Sequence, residues 1–303
     1  MSLKEQEYII KIAEEGNLTR AAEKLFITPS ALTQHVNHLE QELGTPLFFR
    51  SRSGCTLTQA GEIYVKNAQA MLRMQKETYD RLQDIASIKR GTITIGFPPE
   101  RGVDMFTSIY PSFHQIYPDI IINIRETSVK QQQQLISKGI IDIGFLTLTS
   151  DQQTDDEHIF IKSEEFVVAV PTKHPLCQNL SLSEAEPFPL LDIRTLKYEP
   201  FALMYKESTA REMADKICRQ AGFSPSVLFE TSRGTTIRSM CAANLCCGIL
   251  PGYYSHATPP NVTYFHLPEH PSWNIMACYR KSSYLTKPAH FFIELASTYW
   301  QNL

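Results

Sequence analysis

Ser30, Thr33 and Gln34 follow Thr28-Pro29, a hydroxyl cap with proline in the first turn of the helix it opens. Hydroxyl and amide side chains on a first turn can meet base edges and phosphates, and the free backbone N–H groups there attract phosphate. Thr28, Pro29, Ser30, Ala31, Thr33 and Gln34 are therefore candidate contacts to double-stranded DNA; a solvated helix face is the ordinary alternative. Arg50, Arg52 and Ser53 come next, in FFRSRSG, where Ser53-Gly54 reads as a turn between two short strands. The two arginines would clamp phosphates beside that turn, since no acid stands close to them in sequence.

A second set of candidates gathers where strands run into helices. TITIGF leads into Pro98-Pro99-Glu100-Arg101, IIINIRE into Thr127-Ser128, and PFALMY into Lys206-Glu207-Ser208-Thr209, while Thr147 closes IDIGFL. Ligands of open α/β folds bind outside strand C-termini, at helix starts. The expected contacts to a small molecule are Pro99, Glu100, Arg101, Ser128, Thr147, Leu203, Met204, Ser208 and Thr209. For each one singly, an ordinary helix cap is an equal reading; their joint placement around one cleft is what favours a ligand. Prolines in the first of these loops suit a less polar effector, or one held through backbone groups.

Other chemistries find less support. Cys241, Cys246 and Cys247 invite a redox or metal reading, but NLCCGIL is apolar and buried packing fits it better. The seven cysteines form no CxxC pair, and the nine histidines are not expected to build a metal site. No GxSxG and no phosphate loop is present, so neither an enzymatic activity nor a cofactor is expected.

The elements that position these residues follow from periodicity. Leu3, Ile9, Ile10, Ile12 and Ala13 give a first helix, stopped at Gly16-Asn17, and Leu18, Ala21, Ala22 and Leu25 a second. The third buries Leu32, Val36, Leu39 and Leu43 and stops at Gly44. After the two short strands a long helix begins at Thr58, with Tyr64, Ala68, Met71, Gln75, Thr78, Leu82 and Ile85 at coiled-coil spacing. Such a seam requires a partner helix. From Gly91 onward strands and helices alternate, which predicts parallel α/β sheet in two lobes, with crossings near 161 to 166 and 264 to 270.

At 303 residues with 43% apolar and 20% charged residues, the chain is large enough for two or three globular units. The expected division is 1–58, a DNA-binding unit; 59–88, a linker helix that dimerises; and 89–303, an effector unit. Its first lobe spans about 91–163 and 267–303, its second about 164–266. Net charge is −3, split unevenly as +1 over residues 1–90 (12 Lys+Arg against 11 Asp+Glu) and −4 over the rest (17 against 21). That contrast is too small to carry DNA binding, so attraction to DNA has to come from local basic clusters. The N-terminus carries charges where a signal peptide is apolar, and no run of 18 apolar residues occurs; a cytoplasmic protein with no membrane partner is expected.

Glu14 to Gly61, EEGNLTRAAEKLFITPSALTQHVNHLEQELGTPLFFRSRSGCTLTQAG, closely resembles the signature of the LysR-type transcriptional regulators. GIIDIGFL at 139–146, KHPL at 173–176 and NLCCGILP at 244–251 look like that family's later landmarks in their usual order. The resemblance implies an α+β multidomain protein: a winged helix-turn-helix, a long linker helix and a two-lobed effector domain similar to periplasmic binding proteins. It implies a DNA-binding transcription regulator controlled by a small-molecule effector of unknown identity, working as a homodimer or a dimer of dimers. Pro29, Gln34 and Ser53 depart from residues frequent in the family, which leaves the operator sequence open. A thiol-redox regulator, or a solute-binding-fold protein with no regulatory role, remain the alternatives.

Overall fold

The computed structural model describes residues 3–51, 54–86, 90–178, 188–256 and 261–303. The chain divides into two compact units, Met1–Ser87 and Ile88–Leu303.

The first unit is built from α1 (Leu3–Glu15), α2 (Leu18–Lys24), α3 (Pro29–Leu43), β1 (Phe48–Ser51), β2 (Gly54–Leu57) and α4 (Gln59–Ile85). Side-chain caps start three of its helices. Asn17 Oδ1 accepts from Thr19 N and Arg20 N at 2.9 and 3.1 Å, Thr28 Oγ1 from Ala31 N at 3.2 Å, and Thr58 Oγ1 from Gly61 N at 3.0 Å. Ile9 and Ile12 of α1 pack with Leu32, Val36 and Leu39 of α3 and with Leu47 to form the core. Leu43, expected on that core face, is 42% exposed, because the last turn of α3 runs past the core before Gly44 ends it. α4 sits so close to the chain entering the wing that a Cβ on Gly61 would lie 2.1 Å from the Leu47 carbonyl oxygen.

The seam expected along α4 splits in two. Ala68 is buried in the unit's own core with Val65, and Tyr64 and Leu72 pack against it, α1 being the main neighbour. Leu82 and Ile85 stand 56% and 80% exposed, together with Met74 at 70%, which the seam left out. A strict seven-residue stripe drifts by about 20° per heptad around a straight α-helix, roughly 60° over three heptads. That drift alone does not turn the stripe away; its far end is uncovered because α1, 13 residues long, spans only about half of the 27-residue α4.

The second unit runs β3 (Arg90–Phe97), α5 (Arg101–Ile116), β4 (Asp119–Glu126), α6 (Val129–Ser137), β5 (Ile143–Leu148), β6 (Glu157–Pro171), β7 (Pro200–Met204) and α7 (Thr209–Gln220). It continues with β8 (Ser226–Thr231), α8 (Gly234–Ala242), β9 (Cys247–Pro251), β10 (Val262–His266), β11 (Ser272–Tyr279) and α9 (Lys287–Gln301). Strand order is β4-β3-β5-β11-β6-β9-β7-β8, with β10 also on β6. β3 is parallel to β4 and β5, and β7 to β8 and β9, as strand–helix alternation demands.

β6 belongs to both lobes. Glu157 to Glu165 pair with β11 in lobe I, and from Phe166 the same strand pairs with β9 and β10 in lobe II. Its first half went unread as strand, since EHIFIKSEE lacks the unbroken apolar run of FVVAVP; it is half-covered, while Phe166 to Pro171 is buried on both faces. The chain returns to lobe I between His266 and Ser272. Lobe I has a core of Ile95, Phe97, Phe113, Phe145 and Phe292, lobe II one of Phe166, Val168, Phe201, Leu203 and Ile217.

Candidate functional site

On α3 the core residues Leu32, Val36 and Leu39 fix which side faces out, and Pro29, Ser30, Thr33, Gln34, Asn37, His38 and Gln41 line one open groove. Ser30 and Gln34 are exposed. Thr33 is half-buried and donates its hydroxyl to the Pro29 carbonyl at 2.8 Å, while the Thr28 and Ser30 hydroxyls lie 3.1 Å apart. Ala31 lends its N–H to the Thr28 cap. Asn37, His38 and Gln41 continue the polar face for two turns beyond the expected contacts, at the spacing of one helix side.

Arg50 is not free of acids, as its sequence neighbours had suggested. Glu40, ten residues upstream on α3, accepts from Arg50 Nη2 at 2.9 Å, and its other oxygen accepts from Leu47 N and Phe48 N at 2.7 and 3.2 Å. The carboxylate ties the wing to α3, and the fold has brought an acid to an arginine that the sequence held apart. Arg52 and Ser53 lie outside the described residues.

In the second unit one pocket is lined by Pro99, Arg101, Ser128, Thr147, Met204, Ser208 and Thr209, seven of the nine expected contacts. Pro98, Tyr205, Pro251, Tyr254 and Trp273 are among its other walls. Ser128 caps α6 from lobe I through Gln131 N at 3.3 Å, and Ser208 caps α7 from lobe II through Arg211 N at 3.1 Å. Beside them the end of β5 in lobe I meets the start of α7 in lobe II, where Thr147 Oγ1 and Thr209 Oγ1 stand 3.5 Å apart. Two expectations are corrected. Leu203 is fully buried in the lobe II core, because on β7 it faces away from the cleft. Glu100 does not line the pocket but closes the cleft beside it. Its carboxylate accepts from Gly234 N at 2.7 Å, Tyr254 OH at 2.9 Å and the Thr235 hydroxyl.

Glu100 thus caps α8, a helix of the opposite lobe whose own cap residue Arg233 supplies no side-chain bond. Glu100 holds a positive φ of 67°, a strained conformation for a residue other than glycine. A Cβ on Gly234 would lie 2.3 Å from the Tyr254 ring, so glycine here lets the phenol reach Glu100. Burial raises the Tyr254 hydroxyl above the ordinary tyrosine value, and the adjacent Glu100 adds to that, so it donates.

Next to this contact Arg101 Nη1 pairs with Glu164 Oε2 at 2.8 Å, with side chains only 7% and 8% exposed. Glu164 also accepts from Trp273 Nε1 at 2.6 Å and from Tyr253 N at 3.0 Å, so its charge is well satisfied. The guanidinium lies 4.8 Å from the Trp300 ring centroid and 5.2 Å from that of Tyr253. Tyr253 OH donates to Asp104 Oδ2 at 2.5 Å, and Gln152 Nε2 in lobe I donates to Glu212 Oε2 in lobe II at 2.6 Å. With these contacts made, the cleft keeps a cavity of about 60 Å³. Ligand pockets usually measure about 300–1,000 Å³.

Cys241, Cys246 and Cys247 are buried, at 0%, 3% and 1% exposure. The Cys247 thiol is pushed up to about 12 by burial, and Cys241 is raised by its thiol neighbour Cys246 and by burial. Cys246 is lowered by the bond from Cys241 but has almost no access for an oxidant. Glu165, His266 and His270 do come together, contrary to the expectation for the histidines. The signal was available, because His266 and His270 stand four apart in HLPEH. No described helix is long and apolar enough to cross a membrane.

Comparison with known proteins agrees with this architecture. A family described as LysR substrate binding domain matches residues 87–301, and one described as bacterial regulatory helix-turn-helix protein, lysR family, matches residues 3–62. The chain is 29% identical to the HTH-type transcriptional regulator AlsR of Bacillus subtilis, over 96% of this chain and 94% of that protein. It is 27% identical to the regulator YcgK of the same organism, over 98% and 94%. Among solved structures, a cysteine-to-aspartate variant of full-length OxyR from Pseudomonas aeruginosa superposes with a TM-score of 0.67 at 23% identity, covering 98% of this chain and 97% of that one.

Proposed function

The chain belongs to the lysR family of bacterial regulatory helix-turn-helix proteins, and from that premise we propose how its parts act. It is a DNA-binding transcription regulator under effector control. The exposed side of α3 enters the major groove, where Ser30 and Gln34 meet base edges and Asn37, His38 and Gln41 extend the contact. Thr33 is held against its own helix and contributes a methyl surface more than a hydroxyl. Arg50 reaches phosphate while keeping its tie to Glu40, and Arg52 and Ser53 add contacts to the DNA backbone. The exposed end of α4 around Met74, Leu82 and Ile85 covers a second copy, giving the dimers or tetramers usual for the family. The three-part division at 58 and 88, a cytoplasmic setting and the absence of catalysis complete the reading; family members are in general not enzymes.

The effector binds between the lobes. The observation that carries this is the meeting of two capped helix starts from opposite lobes, α6 and α7, across a cavity walled by prolines and aromatic rings. Free N–H groups at both ends suit a polar or anionic group, and the rings suit an apolar body. A cavity of about 60 Å³ holds a few waters at most, so a larger effector selects an opened arrangement and shifts the equilibrium by its differential affinity. A thermal-shift screen of metabolites on the full-length protein tests this. A hit should stabilise the wild type, and Ser128→Ala and Thr209→Ala, on opposite lobes, should each weaken the response. If both variants respond like wild type to every hit, the cleft is not the sensing site.

A further inference from the structure

The geometry points to a divalent transition-metal site at the junction of the lobes, formed by Glu165, His266 and His270 and suited to zinc. One ligand atom from each lies within 4.8 Å of the other two. Glu165 Oε1 stands 2.9 Å from His266 Nδ1 and 2.9 Å from His270 Nδ1. Two imidazoles and one carboxylate are the donor set of a three-ligand zinc site that keeps a fourth position for water. Bonds of about 2.0–2.2 Å in tetrahedral geometry separate neighbouring ligands by about 3.4 Å. Glu165 needs to part from each imidazole by only about half an ångström, which a carboxylate rotation and the exposed His270 ring allow.

Position and backbone add to the donor chemistry. Glu165 is the residue at which β6 changes lobe, paired with Ser272 of β11 while the next residue, Phe166, pairs with Pro251 of β9. His266 ends β10, and its backbone is held on both sides by bonds with Pro189 and Leu191. His270 sits in the return segment with a positive φ of 43°, strained for a histidine, which aims its ring back at Glu165. A cavity of about 210 Å³ lined by Glu165 and His266 adjoins the cluster. The metal would bridge the two segments by which the chain passes between lobes, so its binding would bias the angle between them.

The test uses the full-length, metal-stripped protein with Zn²⁺ in competition against a chromophoric chelator, and with Co²⁺ as a spectroscopic substitute. One Zn²⁺ per chain is expected, with affinity lowered more than about tenfold by Glu165→Gln or by His270→Ala. The Co²⁺ spectrum should be that of a tetrahedral nitrogen–oxygen site without a thiolate charge-transfer band. Thermal unfolding of the stripped variants matching stripped wild type shows that they fold. Failure of the wild type to bind, equal binding by both variants, or a thiolate band placing the metal on cysteine would each overturn the site.

Discussion

The exposed polar face of α3 and the cleft between the lobes are both built from helix starts, yet they present their polar groups in opposite ways. On α3, Gln34, Asn37, His38 and Gln41 face solvent, ready for a rigid partner that brings its own donors and acceptors. In the cleft Ser128, Ser208 and Thr209 are engaged with their own helices or with the opposite lobe, Glu100 is bonded across it, and Arg101 is paired with Glu164 of its own lobe. A surface that docks on a duplex can be preformed. A sensor has to exchange internal bonds for ligand bonds, and its resting contacts set the free energy that an effector must match.

Deleting a cleft contact should therefore cost the protein itself, whereas deleting a face contact should cost only the complex. The largest effect is expected for Arg101→Ala, which leaves Glu164 buried without its cation and should lower the stability of the effector unit by about 3–5 kcal/mol in denaturant unfolding. A loss below about 1 kcal/mol would mean that Trp273 and Tyr253 N satisfy Glu164 alone. Glu100→Ala removes a charged acceptor from Gly234, Thr235 and Tyr254, and should weaken the closed arrangement by about 1.5–3 kcal/mol. Small-angle scattering ought to detect a more open population; a profile identical to wild type would show that Glu100 only caps α8.

Gln34→Ala should cost about 1–3 kcal/mol on a selected operator, nearly nothing on random DNA, and leave the melting curve in place. Equal losses on both DNAs would move Gln34 from bases to phosphates. The smallest effect is expected for Arg50→Ala. Its tie to Glu40 is a partly exposed pair worth about 0–1 kcal/mol, and the salt dependence of DNA binding should fall by roughly one unit. An unchanged slope would leave Arg50 with a purely structural task.

The same contrast decided what could be read from sequence. Helix capping and 3.6-residue periodicity are local, and they located α3 and its outward face from Thr28, Pro29, Leu32, Val36 and Leu39. Strand ends followed by capping serines were equally local, so Ser128, Ser208 and Thr209 could be assigned to one cleft. What escaped depended on distant segments: Glu40 reaching Arg50, Glu100 capping α8, Glu165 meeting two histidines a hundred residues on. Leu203 was misassigned because alternation along β7 does not tell which face the helices of a lobe will cover. Leu43 and the α4 seam fitted their periods, but only the packing shows where a core ends.

One consequence of the shared strand β6 concerns the order in which the chain folds. The first unit closes on contacts among residues 3–85, and β6 gains its lobe II partners β9 and β10 before lobe I can be completed. Lobe I still lacks β11 and α9 at that point, and these arrive on the order of ten seconds after β6 at about 5–20 residues per second. Until then the Glu157–Glu165 half of β6 and strand β5, which β11 will join between them, stand as open sheet edges, and Phe113 and Phe145 await Phe292. Nascent chains interrupted between residues 171 and 272 would thus expose pairing edges and apolar rings together, a combination that recruits chaperones or aggregates.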